Sequence, residues 1–267
     1  MYLVLPVLLA AGAAAGAATP IAADTGNIKV KLAEITSEFP DGFRIRLQAS
    51  GDNEIKQITV RLKFGQQTKI QVDYLCEATG LGLNAWRCDD LKQDKVIDGE
   101  LFWRTNDAGR YVPPGTIISY RFEVEDSQGN KAETEPKDFT YWDARPEFLN
   151  EDGSSKWKEV SGGPISVAYH GPVKTRADKI LKAILQTLET MGPVLGAGTE
   201  APIRVNMYNN NKEMLGALPP NAASIRRELI TEGQAFDNFG TLLVLGEGNL
   251  AEGSASHELT HILVHRS

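Results

Sequence analysis

Histidine and cysteine are the scarce residues of this chain, with 4 His and 2 Cys in 267 residues. Two cysteines are too few for a disulfide-dense scaffold or a four-cysteine zinc module. Positive charge is also short: 28 Lys and Arg stand against 35 Asp and Glu, a formal net charge of −7, and the basic residues are scattered. A phosphate backbone would meet no basic face, so nucleic acid is not an expected partner. The longest apolar run, Leu3 to Ala18, is on the short side for the roughly 20 residues of a bilayer-spanning helix. An apolar fraction of 42% nevertheless supports a sizeable core, in one or two soluble domains.

The Leu3 to Ala18 run, followed by small residues, reads as the hydrophobic and cleavage regions of a secretory signal. Residues 1–23 are therefore expected to be a signal peptide, cleaved between Ala17 and Ala23, or an uncleaved N-terminal anchor. Either places the protein outside the cytoplasm, secreted or attached to a membrane or cell surface. An oxidising compartment suits a bridge between Cys76 and Cys88, contributing about 3 kcal/mol. Two reduced, buried thiols are the alternative.

Residues 24–143 have a period of two. Phe43/Ile45/Leu47, Ile58/Val60/Leu62/Phe64, Ile70/Val72/Tyr74 and Ile118/Tyr120/Phe122/Val124 alternate with polar residues, as strands with one wet face do. Turn signals at Pro40-Asp41-Gly42, Ser50-Gly51-Asp52-Asn53, Pro113-Pro114-Gly115 and Ser127-Gln128-Gly129-Asn130 separate them. About seven short strands in such a segment point to an all-β immunoglobulin-like or fibronectin-like sandwich. Asp52, Asp107 and Asp126 stand at turns without the spaced ligand series of a calcium site and read as solvated carboxylates.

The polar, Pro- and Gly-punctuated stretch at 144–156 reads as a linker. Beyond it the period changes. Ile165 to Tyr169 and Ile203 to Tyr208 read as strands, and Lys174 to Met191 as a helix with Ala177, Ile180, Leu181, Ile184, Leu185 and Leu188 along one stripe. Thr241 to Leu245 reads as an edge-like strand able to pair with an extended peptide, Gly246 to Gly253 as a turn, and Ser254 as the N-cap of a last helix.

That last helix carries His257-Glu258-Leu259-Thr260-His261. Positions i and i+4 share a helix face, so both imidazoles can meet one metal ion, with Glu258 beside them. Polar groups in so apolar a helix are costly unless they bind something. His265 lies about 12 Å along the axis from His257 and reads as a solvated histidine. His170 is a candidate outside ligand, and otherwise a strand-end histidine.

The order of elements, with Trp157-Lys158 and its strand, the helix after Val173, the Tyr208-Asn209 strand end, Gly233-Gln234-Ala235-Phe236 and above all Ala255-Ser256-His257-Glu258-Leu259-Thr260-His261, resembles a gluzincin. The likeness is to the first part of the thermolysin-like, peptidase MA-like family of exported bacterial proteins, over residues 157–267. It implies an α+β zincin-like upper subdomain, Zn2+ held by His257 and His261, Glu258 as general base, and a peptide or protein substrate. It also implies a third zinc ligand, a glutamate on a later helix, without which residues 1–267 are expected to be inactive. A reading from another class is a secreted or surface binding protein that works through its β-sandwich, with a degenerate peptidase domain. A third is a two-histidine storage or sensing site completed from upstream, for instance by His170.

Overall fold

The structure, a computed structural model, describes residues 28–77, 91–106, 109–219 and 232–267. The expected signal segment, Cys88 and Asp107 lie outside the described residues. The protein is rich in β-structure and carries two sheets. The first contains β1 (Ile28–Glu38), β2 (Gly42–Phe64), β3 (Ile70–Tyr74), β4 (Cys76–Glu77), β5 (Asp94–Arg104), β6 (Ile117–Asp126), β7 (Lys131–Glu133) and β8 (Lys137–Thr140). All of their pairings are antiparallel.

Strand β2 organises this sheet. Its Gly42 to Ser50 half lies between β1 and β5, and its Ile55 to Phe64 half between β6 and β3, with the register shifting between Ser50 and Ile55. The turn expected at Ser50 to Asn53 is therefore an irregularity within one 23-residue strand. Phe43, Ile45 and Leu47 from one half and Ile58, Val60 and Leu62 from the other are all fully buried in one core. Cys76 is disulfide-bonded.

Two other expectations for this unit are corrected. Ile70, Val72 and Tyr74 alternate as read, but they face outward and are about half exposed. Among the described residues their strand pairs with β2 alone, and its polar residues Gln71 and Asp73 are the less exposed ones. Asp126 is not a solvated turn carboxylate: it is buried and accepts hydrogen bonds from Asn53 Nδ2 (2.9 Å), Asn130 Nδ2 (2.8 Å) and the Gln128 and Asn130 amides (2.9 Å each). Those donors, Asn130 first, hold its carboxyl down at about 2.

The second sheet contains β9 (Lys158–Gly162), β10 (Ile165–Tyr169), β11 (Ile203–Tyr208), β12 (Gly233–Phe236) and β13 (Thr241–Leu245), in the order β12-β13-β11-β10-β9. Strands β10, β11 and β13 are parallel, and the two edges are antiparallel to their neighbours. Helix α1 (Lys174–Leu195) makes the crossover from β10 to β11; α2 (Asn211–Leu215) follows β11; α3 (Ala251–Arg266) follows β13. The α1 helix runs past Met191, the end read from the sequence, and ends at Gly196 in the left-handed conformation. Proline near a helix end leaves only one carbonyl of the preceding turn without its usual donor, which the last turn tolerates.

Successive strand residues point to opposite sides of the sheet. Val167, Val205, Met207, Leu242 and Val244 face α1 and α3, burying Ala177, Ile180, Ile184, Ala255, Leu259, Ile262 and Leu263. Tyr208, Leu243 and Leu245 face the other way and join the core of the first unit. The mixed sheet is thus covered by helices on one side and by the β-unit on the other, a three-layer arrangement with a shared boundary.

The boundary is more than a tether. Asp143 is buried and accepts from Arg145 Nε (2.9 Å) and Nη2 (2.6 Å) and from Tyr208 Oη (2.8 Å), while Arg145 Nη2 also donates to the Glu213 carbonyl at 2.7 Å. Phe148 is buried against Trp157 and Tyr208. Segment 144–156 is a linker by sequence position but is anchored by this cluster. Two glycines make the approach feasible. Gly115 (φ +92°) has Asn206 Nδ2 2.2 Å from where a Cβ would stand, and Gly65 (φ +51°) has the Phe239 carbonyl oxygen at 2.4 Å. Asn206 donates to the Pro114 carbonyl, and the Gln66 amide to the Asn238 carbonyl at 3.0 Å.

Candidate metal centre

Helix α3 begins at Ala251 with Leu250 as its N-cap, four residues before the Ser254 cap read from the sequence. Ser254 lies inside the first turns, where its hydroxyl donates to Glu232 Oε2 at 3.0 Å. Ala251, Ala255, Leu259, Ile262 and Leu263 fill the face packed on the sheet. The helix is not buried on all sides, since Val264 is 56% exposed. His257, His261 and His265 occupy the exposed side, and Glu258 is half-buried between the two faces. A hydrogen bond of 2.9 Å from Thr187 Oγ1 to Ser256 Oγ ties α3 to α1.

The sequence motif does converge. The Nε2 atoms of His257 and His261 lie 3.2 Å apart, with ring centroids at 4.9 Å and ring planes at 81°. Two imidazole nitrogens at ordinary zinc distances on a tetrahedral ion are separated by about 3.3 Å. The pair therefore fits two adjacent corners of such an ion. It also fits one neutral ring donating its N–H to the other, since a histidine tautomer can take either role.

Glu258 is set by the edge strand. Gly233 of β12 presses on it so closely that a Cβ there would stand 2.5 Å from Glu258 Cγ and 3.0 Å from Oε1. Burial at this contact pushes the Glu258 carboxyl above the ordinary carboxylate range, and Asp237 adds to the shift; the two imidazoles and the Ala235 amide oppose it. A carboxyl raised in this way holds a proton more readily than a solvated one.

The edge itself differs from the sequence reading. Thr241 to Leu245 is an interior strand, with β11 on one side and β12 on the other, so it has no free edge to offer. Among the described residues the edge position belongs to Gly233–Phe236, whose one strand neighbour is β13. Sheet order depends on non-local pairing, and the alternation signal in four residues was too short to assign it.

His170 is separated from this centre. Tyr169 faces the helices, so His170, the next residue, points to the opposite side of the sheet. There its ring packs on Phe148 (4.8 Å between centroids) and Trp157 (5.0 Å), and its Nε2 stands 3.0 Å from Glu213 Oε2. It is a satisfied structural histidine and does not complete the pair on α3. Among the described residues, no group of three or more His, Cys, Asp or Glu side chains stands together in metal-holding geometry. Glu232, which accepts from Ser254, and Asp237, which acts on Glu258, flank β12 and were not singled out by sequence reasoning; only their position beside the edge strand brings them near α3.

No protein-family model matches this chain, and no curated protein does. Among solved structures, a bromine derivative of BhCBM56 is 13% identical and spans 44% of this chain and 95% of its own, with a TM-score of 0.27. A cycloalternan-degrading enzyme from Trueperella pyogenes is 14% identical over 40% of this chain and 15% of its own, with a TM-score of 0.25. A Niemann-Pick type C2 protein from Japanese carpenter ant is 13% identical over 43% of this chain and 96% of its own, also at 0.25. Scores this low carry no argument about fold or function. The chemistry of α3 has to stand on its own geometry. No described helix is long and apolar enough to cross a membrane.

Proposed function

We propose that this protein is an extracytoplasmic zinc-dependent peptidase of the gluzincin, peptidase MA-like type, with an immunoglobulin-like unit in front of a zincin-like upper subdomain. The observation that carries the reading is the meeting of the His257 and His261 Nε2 atoms at 3.2 Å on the outer side of α3. Beside them Glu258 is held half-buried against strand β12, the edge strand among the described residues, which supports the same reading. His257 and His261 would hold the ion. The chemistry zinc supplies is Lewis acidity toward water and a peptide carbonyl.

The chain's own residues would do the rest. Glu258 Oε takes the proton of the attacking water and returns it to the leaving amine, a role suited to a carboxyl whose pKa burial has raised. The β12 edge offers backbone groups to an extended substrate beside Glu258. A catalytic zinc takes three protein ligands, so this reading requires a third donor besides the two histidines.

Zinc binding by the purified protein, read by competition with a chromogenic chelator, is the first test. One ion should bind per chain. His257→Ala and His261→Ala should each weaken it beyond the roughly 10–100-fold typical of outer-sphere partners, and Glu258→Gln should keep it. Zinc binding indifferent to both alanine substitutions would remove the metal centre. In protein taken from its native source, peptide hydrolysis should fall by about two to four orders of magnitude in Glu258→Gln. Turnover unaffected by that substitution would remove Glu258 as the base.

A further inference from the structure

A second candidate site lies beside strand β3. Its residues Gln71 and Asp73 stand opposite Leu62 and Val60 in the antiparallel register, and residues directly opposite share one side of a sheet. Leu62 and Val60 are fully buried in the core. Gln71 and Asp73 are therefore polar residues on the apolar side, while Ile70 and Tyr74 take the wet side. Such an inversion costs stability unless the inward polar groups stay wet or bind something, and breaches of a local rule concentrate at functional sites. Both residues are half-buried and largely uncommitted. The Gln71 side chain has no hydrogen-bond partner among the described residues, and Asp73 accepts only from the amide of its neighbour Tyr74, at 2.9 Å.

Gln71 and Asp73 line a cavity of about 390 Å³. That volume falls within the roughly 300–1,000 Å³ of small-molecule sites. The facing walls are aromatic: Trp103 of β5, Tyr111, and Phe239 from the turn before β13. Each ring is held in place. Trp103 stacks on Phe43 with centroids 6.2 Å apart and planes at 11°, and packs on Phe64 at 5.7 Å. Tyr111 packs on Phe236 at 5.6 Å and donates its hydroxyl to the Ala217 carbonyl, and the Phe239 backbone is pressed against Gly65. Rings fixed in this way can receive a ligand without an ordering cost. Gln67 and Arg110 complete the polar lining, and their side chains have no partner among the described residues. The formal charges of Asp73 and Arg110 cancel.

We propose that this cavity binds a neutral pyranose sugar. Planar amide, carboxylate and guanidinium groups each present adjacent donors or acceptors, which match neighbouring hydroxyls on a sugar ring. The carbon-bound hydrogens on the face of that ring are slightly positive and suit the negative face of an aromatic side chain. A purely apolar ligand would strip water from Gln71 and Asp73 and return no hydrogen bond. A charged one would meet a lining with no net charge to hold it. The site shares no residue with the pair on α3 and does not rest on the peptidase reading.

The experiment is a titration of the full chain with glucose, galactose, mannose, N-acetylglucosamine and their methyl β-glycosides, followed by calorimetry and tryptophan emission, with cyclohexanol and adenosine as controls. At least one sugar is expected to bind with a Kd of about 1 mM, as suits so small a ligand, and both controls to bind more weakly. Gln71→Ala and Asp73→Ala, at half-buried positions, should fold normally and each weaken sugar binding about tenfold. Ile70→Ala, on the other side of the same strand, should leave it unchanged. Silence from every sugar at about 50-fold excess over that Kd would overturn the proposal. So would equal binding of cyclohexanol or adenosine, affinity unchanged in both Gln71→Ala and Asp73→Ala, or an equal loss in Ile70→Ala.

Discussion

Replacing Asp143 should uncouple the two units. Its carboxylate is 2% exposed and accepts the Arg145 fork at 2.9 and 2.6 Å and the Tyr208 hydroxyl at 2.8 Å. Asp143→Ala leaves the Arg145 cation, whose side chain is 12% exposed, with only the exposed Glu147 carboxylate at 3.7 Å as counter-charge, and leaves the Tyr208 hydroxyl without its acceptor. Removing one partner of a buried ion pair costs about 3–5 kcal/mol. Tyr208→Phe removes one donor and leaves the fork intact, so it should cost about 1–2 kcal/mol. For a chain of this size, each kcal/mol moves the melting temperature by about 2–4 °C.

The assay is urea unfolding followed by both tryptophan fluorescence and far-UV circular dichroism. Trp142 and Trp157 sit at the boundary, with Trp157 Nε1 donating to the Asp143 carbonyl at 3.0 Å. The wild type should unfold with coincident curves from the two probes, and Asp143→Ala should separate them. Adding Arg145→Met should restore much of the loss, because the stranded cation is then gone. An Asp143→Ala variant within 1 kcal/mol of the wild type, with coincident curves, would show that the shared core alone joins the units and would refute the role given to this ion pair.

Two further outcomes are expected. Gly233→Ala places a methyl 2.5 Å from Glu258 Cγ, where an ordinary contact starts at 3.4 Å, so the carboxylate must move by about 1 Å. Zinc affinity should hold while peptide turnover falls about a hundredfold; retained turnover would show that Glu258 tolerates the shift. Asp126 has a folded-state pKa of about 2, below the unfolded value of about 3.9, so its contribution to stability is present above pH 4 and is lost as the pH falls toward 2. Unfolding curves between pH 5 and pH 2 should show that loss in the wild type and a shallower slope in Asp126→Asn, and identical slopes would contradict the hydrogen-bond account.

Much of the β-structure was legible because one buried face imposes a period of two, as in the Ile118/Tyr120/Phe122/Val124 row, all of it buried. The same signal misplaced Ile70, Val72 and Tyr74. Alternation identifies two faces without saying which is covered, and a strand with one partner can turn its apolar row outward. The Ser50 to Asn53 turn signal lost to tertiary pairing, since β1 and β5 hold the chain on one side of it and β6 on the other. The linker hid its role because Asp143 and Arg145, two residues apart, look like solvated charges until Tyr208 and Phe148 close over them.

At the candidate metal centre the legible part is what a helix fixes locally. Spacing i to i+4 brings His257 and His261 together whatever surrounds them, and the structure places their nitrogens at 3.2 Å. Whether Glu258 is a solvated acid or a poised base is decided elsewhere, by which strand lies over it. That strand is only four residues long, and its place beside β13 follows from the pairing of Gly233 to Phe236 rather than from any pattern of its own. Gly233 then matters for a reason invisible in sequence: with a side chain there, helix and edge could not approach closely enough to bury the carboxylate. The motif supplies the donors, and the β12 edge supplies the environment that shifts the base. A helix bearing the same five residues in open solvent would keep the pair of nitrogens and lose the raised carboxyl, so the peptidase reading depends on the strand as much as on the motif.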